Sequence, residues 1–331
     1  MNTIAKQRII GFVLLVVSST AFAFNTMNDA VLMATKKFSS SQVKNLTINT
    51  SGGSIEVDGN GGSETTVEMH VRPNNNRNLS KSEIQEILDR DYEISIAQKG
   101  NTVEAFAKRK NQGNWRNALN ISFRVKTGKN VASNLKTSGG SIHIANLDGH
   151  QNFKTSGGGL TVSNIRGNID GQTSGGSIKA NNLDGDIHLS TSGGSIRLDN
   201  LSGNIDVKTS GGSIKGDRID GALHASTSGG SIDLGSLTCV LDASTSGGSV
   251  TASLMKLPGD VNLSTSAGSV NLTIPRNAAA DLNLKGMRVN ANNLNNFKGT
   301  NSKGKLIGSM NGGGKQISAS TSAGSVNLRV N

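Results

Sequence analysis

Along the middle of the chain, apolar and polar positions recur at a fixed interval of 18 residues. One apolar column runs Ile142, Leu160, Ile178, Ile196, Ile214, Ile232 and Val250, and a second runs Leu147, Ile165, Leu183, Leu201, Ile219, Leu237 and Met255. A third runs Ile169, Ile187, Ile205, Leu223 and Leu241, with Leu189, Val207, Ala225 and Ala243 two places on. Polar residues fill the places between, which is the period-2 alternation of half-buried strands. Each unit is therefore predicted to hold two short strands, such as 177–180 and 186–189, separated by turns built from Gly-Gly and from Asn-Leu-Asp-Gly.

The same interval appears in the turns. Thr-Ser-Gly-Gly begins at Thr137, Thr155, Thr173, Thr191, Thr209, Thr227 and Thr245, with a looser copy at Thr50 and Thr-Ser-Ala-Gly-Ser variants at Thr265 and Thr321. A fixed period of this length defines a solenoid, in which each unit covers its neighbour's apolar edge. One unit then makes one rung, and like residues stack about 4.8 Å apart. A triangular left-handed helix also has 18-residue coils but needs an apolar residue every six. Here the steps from Ile178 to Leu183 to Ile187 are five and four, which favours a β-roll or flattened solenoid. The Gly pairs from Gly139-Gly140 to Gly247-Gly248 are expected to take positive φ and to let coils approach where a Cβ would obstruct. Gly149, Gly167, Gly185, Gly203 and Gly221 form a second column with the same expectation, which ends where Cys239 takes the next place, a local change of turn.

The flanks depart from the repeat. Residues 1–23 read as a signal peptide, with Lys6 and Arg8 before the apolar run 9–17 and Ala21-Phe22-Ala23 as cleavage site. Residues 24–43 read as a linker and 44–130 as an N-terminal β region. Within that region a helix near 81–90 has a Ser80/Glu83 capping box and an apolar face of Ile84, Ile87 and Leu88, suited to cover an open end of the sheet. Residues 131–274 form the regular solenoid. Residues 275–331 read as an irregular segment, loop-like through 292–296 and 312–315, followed by a closing rung over 321–328. The expected class is thus all-β: a β-solenoid or β-roll with 18-residue coils, an N-terminal β region and one short capping helix.

Composition narrows the function. Of 331 residues 42 are Gly, 34% are hydrophobic and 3% aromatic, too few large side chains for the broad centre of an α/β enzyme. A single cysteine excludes an intrachain disulfide and a thiolate-rich zinc site. The net charge of +11 falls to +9 on loss of the leader and favours anionic surfaces or polymers. Nucleic acid is not an expected partner, because aromatics for base stacking are scarce and no nucleic-acid motif is present. No integral membrane span remains after leader cleavage, and the oligomeric state is open.

Two outward columns hold candidate chemistry. Asp170, His188, Asp206, His224 and Asp242 alternate acid and imidazole at rung spacing, a set able to offer ligands to a divalent metal. The same alternation relieves like-charge repulsion along a strand face, and this structural reading is preferred, with no metal or other cofactor expected. Lys179, Arg197 and Lys215 stack three cations, a strip suited to phosphate, lipopolysaccharide or acidic glycan. Calcium-roll aspartates are missing from the Gly-Gly-Ser-Ile turns, no Gly-Lys-Ser/Thr ending follows the Gly pairs, and His70, His143 and His150 lack a matched acid and nucleophile. The threonines beside the Gly pairs are expected to bond turn backbone and not to order surface water.

The export signal, the N-terminal β region, the tandem Thr-Ser-Gly-Gly-Ser-Ile units and the final Gly312-Gly-Gly with Thr321-Ser-Ala-Gly-Ser-Val resemble the putative-adhesin family of bacterial β-strand repeat proteins, a domain family of unknown function. The resemblance spans roughly residues 43–330 and implies a β-solenoid in the cell envelope with no catalytic residues. The reading is an exported, non-enzymatic interaction or structural protein, in the periplasm, on the outer surface or secreted. The alternatives are a polysaccharide-binding or polysaccharide-acting β-helix enzyme, which needs clustered acids with a cation in one cleft, and a scaffold that polymerises through its coil ends.

Overall fold

A computed structural model describes residues 30–110 and 118–331; the predicted leader lies outside them. Five long strands, Leu160–Thr173, Ile178–Thr191, Ile196–Thr209, Ile214–Thr227 and Ile232–Thr245, run parallel to one another. Each pairs with the next at an offset of one repeat: Leu160 with Ile178, Ile178 with Ile196, Ile196 with Ile214, Ile214 with Ile232. Apart from Met255, the residues of the apolar columns point inward and are buried, which makes this a β-solenoid with an aliphatic spine.

The predicted division of the rung into two strands holds in the rungs that flank the five long strands, as in Ile142–Asp148 and Gln151–Lys154 or Val250–Leu254 and Val261–Thr265, but not in these five. Pairing continues through Asn-Leu-Asp-Gly, because in a parallel stack the next rung supplies partners for the backbone at a corner as well as along a side. The strand bends twice there, at Asn182 with φ 54° and at Gly185 with φ 133°, and buried Leu183 points inward between the corners. Asparagine tolerates the left-handed region better than other residues with a Cβ. The amides form a ladder as well: Asn164 donates to Asn146 at 2.9 Å, Asn182 to Asn164 at 2.9 Å, and Asn200 to Asn182 at 2.8 Å.

At the opposite turn the Thr side chains point inward. Thr191 Oγ1 donates to the Gly176 carbonyl of the preceding rung at 2.8 Å and accepts from the Gly194 N–H at 3.3 Å, and the pattern repeats from Thr155 to Thr265. These hydroxyls are buried and used, so they are unavailable to surface water. Positive φ belongs to the column Gly149 to Gly221 and not to the Gly pairs, where close approach alone is the constraint.

The stack runs past the regular repeats in both directions. Ile55 lies in register between Phe123 and Ile142, so the N-terminal strands Asn45–Thr50 and Ile55–Asp58 form a rung of the same spine. Beyond it the pairing turns antiparallel: Tyr92–Lys99 on Thr102–Arg109, and Glu64–Pro73 between Leu119–Lys126 and Val31–Ser39. Val31–Ser39 is thus an edge strand within the expected linker, hidden from sequence reading because VLMATKKFS lacks alternation. The helix Lys81–Asp91 has the capping box, buries Ile84 and Leu88, and packs on Tyr92–Lys99 and Val31–Ser39 at this end.

Two corrections concern the other end. Leu254, not Met255, continues the second apolar column. A register shift after Leu234 puts Leu254 opposite Leu237 and leaves Met255 64% exposed. Nor is the segment after Pro275 irregular throughout, although 293–297 and 311–314 do lie in turns between strands, and its final strand is not the last rung. Ala280–Lys285, Arg288–Asn292, Lys298–Ser302 and Lys305–Met310 are strands. The chain builds this outer layer first and returns inside it, with Lys315–Thr321 parallel to both Val261–Thr265 and Ala280–Lys285, and Ser325–Val330 between Val270–Ile274 and Arg288–Asn292.

Candidate interaction faces

Lys179, Arg197 and Lys215 are direct partners on consecutive strands and project from one face. His143 stands two rungs before Lys179, beyond Thr161, and Asp233 follows Lys215. Carboxylates lie close by, at Asp199 and Asp217, two places along from Arg197 and Lys215. Both are taken by Arg218, which bonds Asp217 at 2.8 Å and also engages Asp199. Arg218 occupies the left-handed corner position that Asn146, Asn164, Asn182 and Asn200 hold in earlier rungs, with φ 53°, and its longer side chain replaces the end of the amide ladder with an ion pair. No ion pair among the described residues involves Lys179, Arg197 or Lys215. Sequence reading found the strip but not the clamp beside it, whose signal was the lone Arg in an Asn column.

His143 is partly buried among these groups. Burial lowers its pKa below the usual histidine value and Lys179 adds to that, while Glu56 in the adjoining rung opposes it. Glu56 in turn holds Arg124 at 3.1 Å. A folded-state pKa below the unfolded value near 6.5 means that the unfolded chain takes up this proton first. Stability from His143 is full above that value and is lost as pH falls through it toward the folded pKa. His143→Thr, which installs the residue of the next rung, is expected to show a smaller fall in urea midpoint from pH 7.5 to pH 5 than the wild type; equal falls would contradict the assignment.

The second column lies on the side of the rung beyond the corners. Asp170, His188, Asp206, His224 and Asp242 stand in register there. His188 Nδ1 lies 3.8 Å from Asp206 Oδ2 and His224 Nδ1 lies 3.4 Å from Asp242 Oδ2. Lys208 takes Asp206 Oδ2 at 2.8 Å, and Asn262 donates to Asp242 at 3.3 Å. The alternation thus produces pairs of neighbours. Among the described residues no three His, Cys, Asp or Glu side chains converge as a metal site. A shallow depression of about 350 Å³ lies along this column where Ala222 and Val240 replace the polar Asn204 of the preceding rung. Cys239 is buried, and burial with nearby Asp220 pushes its thiol pKa up to about 12, which leaves it protonated and unreactive at neutral pH.

These features define a parallel β-solenoid with polar outer columns and ends closed by antiparallel strands. Residues 185–329 match the family model Toastrack DUF4097, and the resemblance to a putative-adhesin family of unknown function stands. A second family model, Porphyromonas-type peptidyl-arginine deiminase, matches residues 12–97, whose described part forms the edge strands, the helix and a rung of the same stack. No curated protein matches the chain. Among solved structures, a putative lipid binding protein from Parabacteroides distasonis is similar at 14% identity over 91% of this chain and 97% of its own, with a TM-score of 0.39. A putative cell adhesion protein from Clostridium sporogenes is similar at 13% identity over 92% and 100%, with a TM-score of 0.22. A putative adhesin from Bacteroides fragilis is similar at 12% over 90% and 96%, with a TM-score of 0.27. Likenesses at these scores define neither the fold nor a ligand of this chain.

Proposed function

We propose that the chain is an exported, non-enzymatic, adhesin-like β-solenoid that makes multivalent contacts in the cell envelope, with acidic glycan as a ligand of the strip Lys179, Arg197 and Lys215. The observation that carries this reading is three cations in register, with the flanking carboxylates Asp199 and Asp217 committed to Arg218 and only Asp233, at the end of the strip, opposite Lys215. Stacked like charges repel, and a polyanion with regularly spaced charges offsets that cost at each rung. The outward columns repeat one chemistry instead of gathering a nucleophile, a base and an oxyanion donor around one point, which supports binding over catalysis.

The test is retention of the mature protein on immobilised polygalacturonate across a salt gradient. Three exposed contacts of roughly 0.5 kcal/mol each predict about a tenfold loss of affinity for Lys179→Gln/Arg197→Gln/Lys215→Gln at low salt, with an unchanged melting curve. Equal retention of variant and wild type would remove the strip as a ligand face.

A further inference from the structure

The excess positive charge of the chain is not on the regular rungs. Residues 131–275 carry nine Lys and Arg against eleven Asp and Glu, whereas residues 276–331 carry eight against one. That one acid, Asp281, accepts from the Gly314 backbone N–H at 3.1 Å. The stack therefore ends in a strongly basic cap.

The fold concentrates part of this charge around one exposed methionine at the tip. The turn between Ala280–Lys285 and Arg288–Asn292 lies against the hairpin turn between Lys298–Ser302 and Lys305–Met310. Gly286 N–H donates to the Gly304 carbonyl at 3.0 Å, and Val289 N–H to the Lys303 carbonyl at 2.8 Å. Lys285 and Lys305 are direct antiparallel partners, a like-charge pairing that destabilises a sheet unless an anion lies over it. Lys285, Arg288, Lys303 and Lys305 are all exposed, and Met287 among them is 68% exposed. No ion pair among the described residues engages any of the four cations.

We infer that this tip docks the end of the solenoid on an anionic lipid bilayer. A soluble polyanion neutralises the cations but leaves Met287 in water. A plane of acidic headgroups meets the cations, and the interfacial region just beneath accepts the methionine. A second copy of the chain is a poor occupant: residues 31–130, which include the opposite end, carry fifteen Lys and Arg against ten Asp and Glu, so end-to-end contact brings positive charge to positive charge. The tip lies on different strands from the glycan strip and does not depend on it.

The experiment is cosedimentation of the mature protein with vesicles of phosphatidylcholine alone or with 30 mol% phosphatidylglycerol, alongside binding to heparin as a soluble polyanion. Binding is expected only to the anionic vesicles and is abolished by 0.5 M NaCl. Lys285→Gln/Lys303→Gln/Lys305→Gln, all exposed and with melting checked, is expected to bind these vesicles about a hundredfold more weakly. Met287→Ser is expected to weaken vesicle binding about fivefold and to leave heparin binding unchanged. The strip variant is expected to bind vesicles like the wild type, which separates failure of this site from failure of the glycan site. The inference is overturned if anionic vesicles do not bind, if the triple variant binds them as the wild type does, or if Met287→Ser leaves vesicle binding intact, the last result identifying an acidic polymer as the occupant.

Discussion

Ile196→Asp is expected to open the stack at its own rung. Ile196 is 1% exposed and lies in register between Ile178 and Ile214, with apolar side chains on every inward side. Loss of the aliphatic side chain costs about 2–5 kcal/mol by analogy with core truncations. The carboxylate adds several kcal/mol more as an ion with no partner. A total above about 5 kcal/mol is in the range of whole-domain stabilities. In a solenoid each rung touches only its neighbours, so the damage is local in space but severs the spine. Limited proteolysis is expected to cut the variant within residues 178–227, where the wild type resists, and the urea transition should split in two. Arg197→Asp, one residue on and outward, changes stability by no more than about 0.5 kcal/mol, since successive side chains of a strand face opposite ways. Equal urea midpoints for Ile196→Asp and wild type would contradict the inward assignment.

What was legible in the sequence follows from what the repeat repeats. A residue in the column of Ile196 meets the same surroundings in every rung, so one selection acts many times and the inward positions stand out. The corners were placed as turns, but the role of their Asn column was not read, because its chemistry is conformational. Asn146, Asn164, Asn182 and Asn200 look like polar turn residues until their positive φ and amide ladder are seen, and only then does Arg218 in their column become a clamp on Asp199 and Asp217. The ends were hidden for the opposite reason. Val31–Ser39 and the strands from Ala280 to Met310 occur once, pair antiparallel in part, and are stacked out of chain order, so no period betrays them. Met255 shows the limit of column reading: a single register shift moved the inward place to Leu254. Of the candidate faces, the strip was legible because it is a column; the basic tip was not, because its members come from two turns that a backbone hydrogen bond brings together.

The second large effect separates two glycines that look equivalent. A Cβ built on Gly212 would lie 2.0 Å from the Gly194 carbonyl oxygen of the preceding rung, and one on Gly211 would lie 3.6 Å from that of Gly193. The first distance is far inside van der Waals contact with backbone, which cannot swing aside without pulling the ladder apart; the second is ordinary contact. Gly212→Ala is therefore expected to cost about 3 kcal/mol or more, the upper part of the range for overpacking, while Gly211→Ala stays within about 1 kcal/mol. The chain has already made the milder change. In Thr265-Ser-Ala-Gly and Thr321-Ser-Ala-Gly, alanine replaces the first glycine of the pair, while Gly268 and Gly324 are retained with would-be Cβ distances of 2.1 and 2.0 Å. Neither glycine of the 211–212 pair has positive φ, so the contrast isolates close approach from backbone strain. Urea midpoints of the two alanine variants measured side by side decide it: similar midpoints would mean that the rungs are not held at this spacing by the glycine turns.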